Sequence, residues 1–358
     1  MLRKWVRRLY EWALPGGEEH LRAGREGGHA RRGPVKHVVI LDGTMSSLLP
    51  GEESNAGRIF RLLARERGTH LNLYYEAGLQ WQDWRSTLGV MMGRGLNRQI
   101  RRAYGHLSSR YRPGDTIYLI GFSRGAYAVR SLAGAIERVG LLRAEDAIER
   151  NVRQAWRYYR NPPAQGVLEA HRRAHCHAEV PIEMVGVFDS VKALGLRLPL
   201  LWRWDAATYA FHSDALGASV RHGYHALALH ETRVAYSPVL WRSVPGSCKD
   251  VQQMWFRGAH GDIGGHLEGF EPARPLANIP LVWMLERGEA AGLPLPDGWH
   301  REIHCDPGAP SVGTWRGWGW LFLLRARREV GVDPSESVHE TAGEAAQDMM
   351  PDARTPPV

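Results

Sequence analysis

Cysteine is scarce in this chain: three among 358 residues, Cys176, Cys248 and Cys305, odd in number and far apart. That excludes a disulfide framework or a CxxC zinc site and points to a reducing compartment. Long apolar runs are missing too. None approaches the ~18 residues of a membrane span, and arginines interrupt Met1 to Trp12 where a secretory leader needs an unbroken apolar stretch. The expected location is the cytoplasm of the producing cell, with any export using a route that reads no signal peptide. Acidic side chains are outnumbered, 38 to 46, for a net charge of +8. The surplus suits an anionic surface such as phospholipid head groups. Nucleic acid is not an expected partner, because the basic run Asn97 to Arg102 has no interleaved aromatics for stacking.

What is present centres on Asp115 to Val139. Thr116 to Ile120 is a short β-branched and aliphatic run after the turn Arg112-Pro113-Gly114-Asp115, the pattern of a buried parallel strand. Gly121-Phe122-Ser123-Arg124-Gly125 follows, and Ala126 to Val139 then takes up helical spacing. G-x-S-x-G between a strand and a helix is the setting of a nucleophile elbow, with Ser123 on a sharp turn and the helix N-terminus directing N–H groups at an oxyanion. The N–H of Arg124 is the first expected donor.

Further apolar strands end in polar residues, where sites assemble in open α/β sheets. Val35 to Leu41 ends in Asp42-Gly43-Thr44, a loop placed to offer a second oxyanion donor from Gly43 or Thr44, with Asp42 as a supporting residue or a simple turn-former. Pro181 to Phe188 ends in Asp189, placed to orient an imidazole. Val251 to Phe256 leads into a glycine-rich loop, Gly258 to His266, that carries His260 and Asp262. His260 is the expected general base, and the order Ser, Asp, His is that of a hydrolase. The fold expected is α/β, a mainly parallel central sheet flanked by helices with helical insertions.

Around this catalytic stretch, residues 35–330, residues 1–34 read as a basic amphipathic helix (Leu2, Trp5, Val6, Leu9, Trp12) plus a linker, suited to peripheral contact with a membrane surface. Residues 331–358 read as a mobile tail. Leu216 to Ala228 is expected to be helical. Trp315, Trp318, Trp320, Leu321 and Phe322 form an aromatic patch followed by Arg325, Arg327 and Arg328. No cofactor is expected, since Gly93-x-Gly95 lacks the third glycine of a dinucleotide loop. Two alternatives remain open: a silent binding module on the same scaffold, and a metal-dependent hydrolase using His260, Asp262 and His266.

Five stretches taken together, LDGT at 41–44, GFSRGAYAVRSLAG at 121–134, GVFDSVKALG at 186–195, HALALHETR at 225–233 and WFRGAHGDIGG at 255–265, resemble the catalytic domain of the type VI secretion phospholipase effectors, within a broad bacterial family of α/β-hydrolase-like domains. The resemblance covers roughly Val35 to Leu293, with His339 as a further matching position. It implies a serine lipase-like fold, cleavage of phospholipid esters, an immunity protein as partner, and Ser123, Asp189 and His260 as nucleophile, acid and base. The sequence departs from the family's usual residues at Ser46, His230, Arg257, Gly261 and His266.

Overall fold

The computed structural model describes residues 32–78 apart from 67 and 69, then 94–191, 215–243, 250–316, 319 and 322–343. Of the amphipathic helix and linker expected over residues 1–34, residues 1–31 lie outside the described residues, as do Cys248, Trp318, Trp320 and Leu321. In chain order the strands are β1 (Lys36–Leu41), β2 (Leu71–Glu76), β3 (Thr116–Phe122), β4 (Ile182–Phe188), β5 (Val220–Ala228), β6 (Asp250–Phe256) and β7 (Glu336–Val338). Among the described residues the α-helices are α1 (Asn55–Leu63), α2 (Arg94–Arg110), α3 (Arg124–Val139), α4 (Glu149–Arg160), α5 (Gln165–His175), α6 (His260–Gly264) and α7 (Arg274–Ala290).

The seven strands form one sheet in the order β2-β1-β3-β4-β5-β6-β7, and every neighbouring pair is parallel. Parallel pairing requires crossovers, and these carry helices to both faces of the sheet. Successive residues of a strand point to opposite faces. Val39 and Leu41 of β1 and Ile117 and Leu119 of β3 pack with α2, α3 and α4, whereas Val38, Ile40, Tyr118 and Ile120 pack with α1 and α7. Both faces are covered, so the central strands read as continuous apolar runs. From β1 the chain passes first to β2 on one side and then to β3 on the other. Their carboxyl ends flank the crevice in which ligands of open α/β sheets bind.

Three expectations require correction. The stretch 216–228, expected to be helical, holds strand β5, buried at the sheet centre from Gly223 onward. His260 sits not on an open loop but in the first turn of the five-residue helix α6. Part of the expected mobile tail is folded: β7 pairs with β6 through Gln253, Met254 and Trp255, and His339 donates its N–H to the Trp255 carbonyl at 2.9 Å.

Candidate active site

β3 runs straight into α3 through Ser123, whose φ of 56° and ψ of −120° place an L-residue in a rarely occupied region. The turn is this sharp because two glycines let backbones meet. A Cβ on Gly125 would stand 2.0 Å from the carbonyl oxygen of Leu41, and one on Gly121 would stand 2.6 Å from that of Gly125. The elbow is also pinned sideways, since the Ser123 N–H donates to the Phe188 carbonyl at the end of β4 (3.0 Å).

Asp189 follows β4 directly, also at positive φ, 40°, with its N–H donated to Ala226 of β5 at 2.7 Å. His260 reaches both residues. Its Nδ1 lies 2.5 Å from Asp189 Oδ2 and its Nε2 lies 2.9 Å from Ser123 Oγ. All three side chains are buried, Asp189 completely. Asp189 further accepts from the Ala228 N–H (3.2 Å) and from both arms of the Arg328 guanidinium, at 2.6 and 3.0 Å. Burial alone would raise its carboxyl; the charge of Arg328, and then the hydrogen bond and charge of His260, outweigh this and hold it well below the ordinary carboxylate range.

The turn that carries His260 is fixed from beneath. Gly258 has a φ of 121°, and a Cβ there would meet Asp262 at 2.7 Å. Asp262 accepts from Ala259 N–H (2.7 Å), Val312 N–H (2.8 Å) and the Ser311 hydroxyl. Buried Glu231 accepts the N–H of His260 at 3.2 Å and is closed by a two-armed contact with Arg233. His230 accepts the Gly258 N–H through Nδ1 at 3.0 Å. Above the imidazole, the Tyr236 ring stands edge-on with centroids 4.7 Å apart. Phe122 lies beside it, tilted by 32° with centroids 4.9 Å apart. The ring nitrogens of His260 and the carboxylate oxygens of Asp262 are thus engaged, and among the described residues no group of three or more His, Cys, Asp or Glu side chains is placed to hold a metal ion, so the arrangement of His260, Asp262 and His266 finds no support.

Asp42 is buried beneath the loop after β1. It accepts from Ser54 and Tyr75 hydroxyls (2.7 and 2.8 Å) and from the N–H of Gly43 (2.7 Å). Burial raises its carboxyl in spite of these bonds. Gly43 therefore spends its donor on Asp42. Of the two expected early donors Thr44 is the one left, and Met45, at a φ of 65°, completes the strained turn.

The sequence model described as "T6SS, Phospholipase effector Tle1-like, catalytic domain" matches residues 36–287. The chain belongs to this family. A curated relative of this Tle1-like domain, an uncharacterized protein of Saccharomyces cerevisiae, is 28% identical over 234 residues, which cover 58% of this chain and 33% of the relative. Among solved structures, an uncharacterized protein from Pseudomonas aeruginosa is 16% identical with a TM-score of 0.41, over 76% of this chain and 49% of that one. The Tle1 effector bound to the VgrG spike of the type 6 secretion system is 17% identical with a TM-score of 0.36, over 65% and 51%. The chain spans a third of the yeast relative and about half of each solved chain.

Within the Tle1-like domain the structure brings Ser123, Asp189 and His260 together and sets Asp42 and Asp262 behind the two loops that flank them. His339 is placed elsewhere, stacked on Phe256 and bonded to Thr341. Glu231, Arg233, Tyr236 and Arg328 escape sequence reasoning. HETR at 230–233 contains the first two, and an acidic and a basic residue two positions apart are their trace in the sequence. Arg328 lies beyond the matched residues.

Proposed function

We propose that this Tle1-like domain is a serine-dependent carboxylic-ester hydrolase acting on the acyl esters of phospholipids. The observation that carries this is the relay Ser123 Oγ to His260 Nε2 at 2.9 Å and His260 Nδ1 to Asp189 at 2.5 Å. With Nδ1–H donated to Asp189, Nε2 is the free base that accepts the serine proton. The Ser123 oxygen attacks the ester carbonyl, and the N–H groups of Arg124 and Thr44 take the developing oxyanion. The imidazolium, held by Asp189, passes its proton to the departing alkoxide and leaves an acyl-serine. Water, deprotonated by the same nitrogen, then releases the fatty acid.

Family membership supports phospholipid as the substrate, delivery through a type VI apparatus, and an immunity protein as partner. The test is lipid product analysis with purified protein on phospholipid vesicles, alongside labelling by a fluorophosphonate. The wild type should release fatty acid and label once per chain, and Ser123→Ala should do neither. Fatty-acid release by Ser123→Ala at the wild-type rate would sink the assignment.

A further inference from the structure

Arg328 is a charged side chain in the interior, 8% exposed, with its acceptors close at hand. Nη1 donates to Asp189 Oδ1 (2.6 Å) and the Ala228 carbonyl (2.8 Å); Nη2 donates to Asp189 Oδ2 (3.0 Å) and the Tyr236 carbonyl (2.6 Å). One planar fork thus joins the acid, the end of β5 and the turn whose tyrosine ring covers His260. Its segment is laid in place against residues 232–234, through Ala326 N–H to Thr232 (2.8 Å) and Val234 N–H to Leu324 (3.1 Å). The family match ends at residue 287, well short of it.

We propose that Arg328 is a positioning residue that completes the catalytic relay from outside the matched domain, fixing Asp189 and setting the acid limit of activity. This rests on the hydrolase reading above. A bidentate guanidinium fixes the plane of a carboxylate and offsets its charge. Asp189 therefore orients the imidazole while adding little net negative field, and removal of the guanidinium leaves an uncompensated carboxylate facing the ring.

Other charged groups near the imidazole are Glu231, closed by Arg233; His266, next to Glu268 and Asp42; and Arg124, toward Tyr236. His225 faces Asp189 from β5. All of them stay in place when Arg328 alone is changed.

The test is the fluorophosphonate labelling rate of the full chain against pH, for wild type, Arg328→Met and Arg328→Lys. The neutral variant should label more slowly, with the acid limb of its profile moved up by about one pH unit. The lysine variant, retaining charge without the fork, should keep the wild-type limb at a lower plateau. Should Arg328→Met not fold, Asp189→Asn is compared with Asp189→Asn/Arg328→Met, where the same upward shift is expected between two slow enzymes. A limb that does not move when the guanidinium is removed overturns the inference, whatever the plateau. A wild-type chain that fails to label overturns the hydrolase reading instead and takes this inference with it.

Discussion

The carboxylate of Asp42 holds the backbone N–H of Gly43 at 2.7 Å, and through Ser54 and Tyr75 it ties the loop after β1 to the start of α1 and to β2. In the proposed mechanism this loop offers the Thr44 N–H to the oxyanion, and it is only as rigid as this buried hub. Asp42→Asn removes two acceptor sites and should lower kcat by about 10- to 100-fold, the range expected when an oxyanion donor is misplaced rather than deleted. KM should change little, because the donor acts on charge that develops after binding. Steady-state kinetics on a soluble ester checks this, and a wild-type kcat would show that the loop holds itself.

Ser123 holds its place at the elbow in a strained backbone conformation. A non-glycine residue at a φ of 56° and ψ of −120° costs on the order of 1–3 kcal/mol, while glycine in the unfolded chain loses ~0.5–1 kcal/mol of that back in entropy. Ser123→Gly should therefore be inactive yet more stable by about 1 kcal/mol. Urea denaturation compares the two proteins, and a less stable glycine variant would mean that the elbow is relaxed.

Buried histidines make the fold sensitive to acid. Burial, then the charge of Arg130, pushes the imidazole of His225 down to about 3, and burial followed by Arg110 pushes that of His106 down to about 4. Below the ordinary 6.5 the unfolded chain takes up protons that the folded chain refuses, so stability is lost as pH falls from there toward those values. Nε2 of His225 accepts the Ser190 N–H at 3.1 Å, so protonation would also break a bond next to Asp189. Urea midpoints should fall between pH 7 and 5, and His225→Gln should flatten that slope. An equally steep fall in the variant would assign it to other groups.

Much of this site was written locally. The apolar run before Ser123, the glycines around it and the aspartates after β1 and β4 each follow from a few adjacent residues, because a buried parallel strand and a tight turn are local demands. β5 was not legible. Val220 to Ala228 contains two histidines, a glycine and two alanines, and nothing local says that His225 is neutral and bonded in the sheet interior. β7 is three residues long and is held by its pairing with β6 rather than by its own propensity. Arg328 reads in sequence as one more arginine after an aromatic patch. Only the long-range arrangement of β4 and β5 shows a carboxylate that needs it.

Phe122 stands between the turn after β1 and the helical turn that carries His260. A Cβ on Gly43 would come within 2.6 Å of its ring, and one on Gly264 within 2.0 Å. This one benzyl group acts as a shim of fixed thickness between machinery drawn from the beginning of the domain and machinery drawn from near its end. The turn after β1 and the turn that carries His260 should then keep their separation while outer loops diverge. Whatever erodes that spacer, heat or a smaller residue, should disable both turns in one event.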